Sequence, residues 1–280
     1  MTRLPVPARW TSVTATAVVA IVLAGCASAP EPDPTPKPFA KPTITIDSPS
    51  TMCGDGYSTP PIAPTSTLWL PADGAWFHTG LVGDASETTV AVFVHQSDMG
   101  FCGWYPYAQY LSQRGVRSIL VNLCGYGATL CALDAPLLSG GADAVLAAAR
   151  WARSHGATRV VAVGASMGGT TTVLAASEDG KHQLDAVADL SGPISWLDAD
   201  ISTAGEHIAI PSFFAVAPGD EVVSTTELES LAAEIHSPAP ILHLDGDGHG
   251  WDLLHSSTNR GAFNPLADQL AAFIQGTPAG

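Results

Sequence analysis

The 280-residue chain carries 26 acidic against 11 basic side chains, a formal net charge of −15 with histidine neutral. So acidic a surface repels nucleic acid and anionic headgroups, which excludes nucleic-acid binding as a function. From about residue 45 onward the chain can bury the core of one large α/β domain and is too short for two comfortable ones.

The first residues read as a leader. Arg3 and Arg9 form a positive n-region, and Ala15 to Leu23 is an apolar stretch too short to span a bilayer comfortably. Discounting those two arginines leaves nine basic residues against 26 acidic ones, a net charge of −17. The run Leu23-Ala24-Gly25-Cys26 resembles the lipobox of bacterial lipoproteins. That resemblance implies a signal peptide over 1–25, lipidation of the Cys26 sulfur, and a mature protein anchored outside the cytoplasm to the bacterial cell membrane. The alternatives are an ordinary secretory signal cut near Ala27-Ser28-Ala29, or an uncleaved anchor. Residues 26–44 follow as a linker, with Pro30, Pro32, Pro34, Pro36, Pro38 and Pro42 favouring extended polyproline geometry, a semi-rigid stalk.

Residues 45–280 are the expected catalytic domain. Leu68-Trp69-Leu70 and Trp76-Phe77-His78 flank Asp73-Gly74, a hairpin signal that opens the sheet with antiparallel strands. Strands are then predicted at Val90–Val94, Ser118–Val121, Arg159–Val163, Ala186–Leu190, Ser212–Val216 and Ile241–Leu244. Between and after them, helices are predicted at Tyr107–Arg114, Gly141–Ser154, Met167–Ser177, Thr225–Ile235 and Pro265–Ile274. Such alternation means a mostly parallel, twisted sheet with helices on both faces, and a ligand site at the carboxyl ends of the strands. Cys53, Cys102, Cys124 and Cys131 make an even set beyond Cys26. In an oxidising compartment that suggests two disulfides of open connectivity, with buried free thiols as the alternative.

The most informative stretch is Gly164-Ala165-Ser166-Met167-Gly168, directly behind the apolar run Arg159–Val163. This is G-x-S-x-G at a strand-to-helix turn, which lifts the serine above the sheet edge where a carbonyl can reach it. A serine hydroxyl needs a base, and the base needs a carboxylate to hold its tautomer. His249, between glycines in Asp245-Gly246-Asp247-Gly248-His249-Gly250, is the candidate base. Asp220, in Pro218-Gly219-Asp220-Glu221 after a predicted strand, is the candidate acid, with Asp198 and Asp200 in reserve. Oxyanion donors are expected from the Met167 N–H and from that of Gln96 or Ser97, in the loop after Val94. No zinc, Walker or dinucleotide motif is present, and the Asp245–His249 stretch lacks the ligands of a calcium loop. Neither metal nor cofactor is expected.

These landmarks resemble the α/β-hydrolase superfamily over about Leu68 to Ile274. The resemblance rests on Val94-His95-Gln96, Phe101 to Ala108, Asn122 to Gly127, Gly164 to Gly169, Gly219-Asp220 and Gly248-His249-Gly250. More narrowly, the chain is similar to small dienelactone-hydrolase-like esterases exported by actinobacteria, with serine as nucleophile. The resemblance implies Ser166 as nucleophile, Asp220 as acid and His249 as base. Gln96 stands where a glycine is usual, which alters the oxyanion loop or supplies a side-chain amide donor. Asn122 stands where an aspartate is frequent, a position read as structural.

The expected function is thus a membrane-anchored serine hydrolase of the esterase type, monomeric, acting on a small-molecule ester. The short segment between Gly192 and Pro211 leaves no room for a large lid. Trp104, Tyr105 and Trp196 are candidates for an acyl pocket or for the core. The rival readings are an acyltransferase or peptidase with the same triad, and a non-catalytic binding lipoprotein.

Overall fold

Strands whose two faces are both apolar need cover on both sides, and the chain supplies helices for each. A computed structural model describes residues 40–43, 47–54, 63–72, 74–132, 137, 139–236, 238–259 and 261–277. The chain divides into two units, Met1–Lys37 and Pro38–Gly280, and every described residue belongs to the second. The leader, Cys26 and the linker through residue 39 therefore lie outside the described residues, as does the hairpin residue Asp73. Among the described residues no helix is long and apolar enough to cross a membrane.

A short helix α1 (Pro49–Cys53) precedes the hairpin of β1 (Thr65–Ala72) and β2 (Ala75–Val82), which pair antiparallel up to Ala72 opposite Ala75. The following elements are β3 (Thr89–Val94), a 3-10 turn at Gly100–Trp104, α2 (Tyr105–Ser112) and β4 (Val116–Val121). After β5 (Leu130–Cys131) and α3 (Ser139–Ser154) come β6 (Arg159–Ala165), α4 (Met167–Ser177) and β7 (Ala186–Leu190). A small hairpin of β8 (Ser195–Trp196) and β9 (Ala199–Asp200) leads to β10 (Ser212–Ala215), α5 (Thr225–Glu234), β11 (Ile241–His243) and α6 (Pro265–Gln275).

The main sheet runs β1-β2-β4-β3-β6-β7-β10-β11, with β5 on β2. Pairing is parallel from β4 through β11 and antiparallel at β1–β2 and β2–β4. All six parallel strands therefore end along one edge, and the loops leaving β3, β6, β7, β10 and β11 converge there. Alternation along β3 sorts the core. Val90, Val92 and Val94 face the layer of α3, α4 and α5, whereas Ala91 and Phe93 face that of α2 and α6. Fully buried side chains of this kind each contribute about 1.5–3 kcal/mol.

The structure lengthens both predicted hairpin strands, β3, β4, β6, α3 and α6, shortens β10, β11 and α5 by one residue each, and adds α1, β5 and the β8–β9 hairpin. The helix predicted from Tyr107 starts at Tyr105, because the 3-10 turn before it feeds Pro106 into the first helical turn. The Gly192–Pro211 segment holds only that hairpin and a 3-10 turn at Ala204–His207, so this segment supplies no large lid.

Two disulfides brace this edge. Cys53–Cys102 ties α1 to the 3-10 turn after β3 across 49 residues, and Cys124–Cys131 closes a seven-residue step after β4. Chain entropy assigns about 4 kcal/mol to the longer closure and about 2 kcal/mol to the shorter. The double variant Cys53→Ser/Cys102→Ser should accordingly lower the urea midpoint more than Cys124→Ser/Cys131→Ser. Equal midpoints would show that loop length does not govern their contributions.

Candidate active site

The strand-to-helix junction is built by close approach. A Cβ on Gly164 would overlap the Gly168 carbonyl, one on Gly168 would overlap the Val94 carbonyl, and one on Gly169 would overlap the Asp189 carboxylate. With those positions bare, α4 begins directly against β3 and β6. Ser166 then takes φ 50° and ψ −122°, an unusual backbone for a residue with a side chain. Its N–H is held by the Leu190 carbonyl at 2.8 Å, and its carbonyl accepts from Gly169 N–H at 2.7 Å. Ser166 retains 8% exposure at the head of the helix.

The loop after β10 brings Asp220 to the loop after β11. Its Oδ2 lies 2.8 Å from His249 Nδ1, and its Oδ1 accepts from the N–H groups of Val222 and Val223 at 2.9 and 3.1 Å. The Asp220 side chain is wholly shielded from solvent, while 28% of the His249 side chain remains open. Burial alone would raise the Asp220 pKa, but the hydrogen bonds from His249 and Val222 prevail and hold it below the ordinary value. Ser191, at φ 57°, adjoins the same carboxylate and lowers its pKa further, although its Oγ does not reach hydrogen-bonding geometry.

His249 is turned toward the sheet edge by Gly248 and Gly250, at φ 101° and 60°. A Cβ on Gly250 would stand 3.4 Å from the Ala165 methyl, so the residues next to His249 and Ser166 pack against each other. No hydrogen bond joins His249 to Ser166 Oγ among the described residues. In unliganded enzymes such contacts are often long and close around substrate. Of the two reserve carboxylates, Asp198 is exposed and Asp200 accepts from Ser202 N–H at 2.9 Å.

The N–H groups of Met167, Gln96 and Ser97 donate to no acceptor among the described residues. They lie at the start of α4 and in the loop after β3, on the two neighbouring strands β6 and β3. The Gln96 side chain does something sequence reasoning did not foresee. Its Oε1 accepts the Trp251 N–H at 3.3 Å, so the amide ties the loop after β3 to the turn after His249.

Buried polar groups back these loops. His95 donates from Nδ1 to the Gln96 carbonyl at 2.6 Å, while its Nε2 accepts from Leu123 N–H at 3.0 Å. Asn122 receives the Phe101 N–H on Oδ1 at 2.8 Å and faces His78 Nδ1 with its Nδ2 at 3.1 Å, a bracing role. Trp104 and Tyr105 are core residues, 0% and 3% exposed, and Trp104 Nε1 donates to the Val94 carbonyl. Of the three aromatics considered for an acyl pocket, Trp196 alone is exposed. The residue passed over is Asp189. It sits fully buried at the end of β7, accepts from Gly192 N–H at 2.6 Å through Oδ1, and leaves Oδ2 without a partner. Its signal was an acid inside an otherwise apolar strand.

This arrangement of sheet, elbow and loops is the α/β-hydrolase fold. The backbone superposes on an esterase from Pyrococcus furiosus with a TM-score of 0.66 at 11% identity, over 86% of this chain and 100% of that one. An esterase from Exiguobacterium antarcticum gives 0.60 at 14% identity, over 75% and 100%. The dienelactone hydrolase of Anabaena variabilis gives 0.59 at 17% identity, over 77% and 99%. At such identities the likeness is one of fold. No protein-family model matches the sequence, nor does any curated protein.

Burial pushes the Asp189 pKa up from 3.8 to about 7, against the pull of the Gly192 hydrogen bond. The folded state thus keeps a proton that the unfolded chain loses near pH 4, and stability falls as pH rises toward 7. His78 and His95, lowered by burial from 6.5 to about 4, act oppositely and withdraw stability as pH falls between those values. Asp189→Asn keeps the acceptor for Gly192 and removes the ionisation. It should gain on the wild type by on the order of 2 kcal/mol between pH 5 and pH 8 in urea unfolding. A difference independent of pH would show that Asp189 titrates elsewhere.

Proposed function

We propose that the protein is an extracytoplasmic serine hydrolase of carboxylic esters, held at the bacterial membrane by lipid on Cys26. The observation that carries the reading is the Asp220–His249 hydrogen bond, delivered beside a serine that a strained elbow lifts to the sheet edge. In this reading Ser166 Oγ attacks the ester carbonyl while His249 Nε2 takes its proton. Asp220 holds Nδ1–H and steadies the imidazolium. The carbonyl oxygen becomes an oxyanion facing the N–H groups of Met167 and of Gln96 or Ser97, each worth about 10²–10³ in rate. Collapse returns the proton to the leaving alcohol and leaves an acyl-enzyme. Water then repeats the cycle and releases the acid.

In this reading the enzyme is a monomer acting on small-molecule esters, and the short Gly192–Pro211 segment supports turnover without interfacial activation. The names of the fold neighbours, two esterases and a dienelactone hydrolase, support the same substrate class. The anchor rests on the lipobox resemblance, and the stalk on the prolines of 26–44.

Intact-mass labelling with a fluorophosphonate tests the nucleophile. One adduct is expected on the wild type and none on Ser166→Ala or His249→Ala, with kcat on a p-nitrophenyl ester falling about 10⁴-fold or more. Both variants should keep the wild-type circular dichroism. Folded wild type that takes no adduct would overturn the assignment.

A further inference from the structure

Among the described residues, the non-glycine ones with left-handed backbone are Met99, Ser166, His182, Ser191 and Leu197. Ser166 and Ser191 belong to the site already described. Met99 and Leu197 differ in kind. Both are apolar, both have φ 52°, and at 58% and 64% they are the most exposed large hydrophobic residues among those described. Burial does not hold them in place, and neither side chain favours a left-handed backbone as glycine or asparagine does. Leu197 is the first of two residues turning β8 into β9, where Trp196 pairs with Ala199. Positive φ at that position alone is the pattern of a type II′ turn, a place glycine ordinarily fills. Folding by itself therefore gives no reason for an exposed leucine there.

Their position gives one. The sheet runs β3-β6-β7, Ser166 leaves the end of β6, Met99 lies in the loop after β3, and Leu197 lies in the hairpin after β7. The two apolar residues thus belong to the connections that leave the two strands neighbouring the serine's own. The hairpin is fastened to the nucleophile's own helix, because Thr170 Oγ1 donates to the Pro193 carbonyl at 2.6 Å and Gly192 is held by Asp189. On the other side, Tyr126 Oη donates to the Ser97 carbonyl at 2.8 Å, and Met99 borders a hollow of about 240 Å³ with Met52, Phe101 and Tyr126.

We infer that Met99 and Leu197, with Trp196 beside the latter, are specificity residues that grip the hydrocarbon chain of the ester on either side of Ser166. The inference rests on the esterase reading of Ser166 and adds to it the class of substrate, an ester bearing a long apolar chain. Strained turns presenting apolar side chains to water are explained if that surface is covered when substrate binds.

The test uses Leu197→Asn and Met99→Asn in the full chain, since asparagine suits left-handed backbone and removes the apolar surface. Two ester series separate the sources of the chain: p-nitrophenyl octanoate against acetate for the acyl side, and octyl acetate against ethyl acetate for the alcohol side. The ratio of kcat/KM, long over short, should fall about tenfold in each variant in at least one series, with Tm at or above the wild-type value. A purely structural role would move Tm and leave the ratio alone. Ratios within twofold of wild type in both series, while fluorophosphonate still labels Ser166, would overturn this inference and leave the nucleophile standing. A wild type that takes no label and turns over neither chain length would overturn the esterase reading and this inference with it.

Discussion

How near a helix can come to a sheet is set by the side chains between them, and here the first turn of α4 has none to spare. Gly164, Gly168 and Gly169 leave the Val94 carbonyl, the helix backbone and the Asp189 carboxylate in direct contact. That closeness fixes where Ser166 stands and obliges its unusual backbone. It also sets the free N–H groups at the head of α4 beside the loop that leaves β3, which is where two donors can meet one oxygen. The chemistry proposed for the protein follows from three missing side chains as much as from the serine between them.

An elbow alone places a hydroxyl. Loops from other strands must then be held to it within a fraction of an ångström. The chain does this with polar groups buried under the loops. His95 is spanned by Gln96 and Leu123, Asn122 by Phe101 and His78, and Gln96 reaches across to Trp251. Both buried histidines have pKa values lowered to about 4, so at neutral pH they hold these positions uncharged. A charged group there would be costly to bury and would disturb the field around the proposed oxyanion. The disulfides anchor the same edge covalently, one from α1 and one after β4.

Much of this was legible in the sequence because one physical rule covers it. Strands buried on both faces are mostly apolar, and Val90–Val94 and Val160–Val163 announce themselves that way, as does Ala186–Leu190 apart from Asp189. α4 and β7 keep the predicted bounds to the residue. The glycines around Ser166 and His249 likewise mark turns that only their backbone freedom allows. What stayed hidden depends on side chains meeting across distance. The pairing of four cysteines cannot be read from spacing, the two-residue strands β8 and β9 are too short to show a period, and the 3-10 turn before α2 has no pattern of its own. Nor does spacing show that the Gln96 side-chain oxygen accepts the Trp251 N–H, since the two residues lie 155 apart in the chain. Trp104, open in the sequence between an acyl pocket and the core, lies in the core, its indole N–H bonded to the Val94 carbonyl.

The left-handed non-glycine residues are not spread evenly. Of the five among the described residues, Met99, Ser166, Ser191 and Leu197 lie in loops leaving the carboxyl ends of parallel strands, and His182 lies in a loop entering one. Each such residue costs roughly 1–3 kcal/mol, so the edge carries a sizeable fraction of the margin by which a domain of this size is stable. The cores on both faces of the sheet offset that cost without competing for the edge, since their side chains point away from it. The buried Asp189 carboxylate, the neutral His78 and His95 and the orphaned oxygens of Asp189 and Ser191 lie at the same edge. A fold under no demand but stability would relax such features one at a time, since each relaxation is local. Their concentration around one serine is the strongest physical argument that this edge is shaped for something other than holding the chain together.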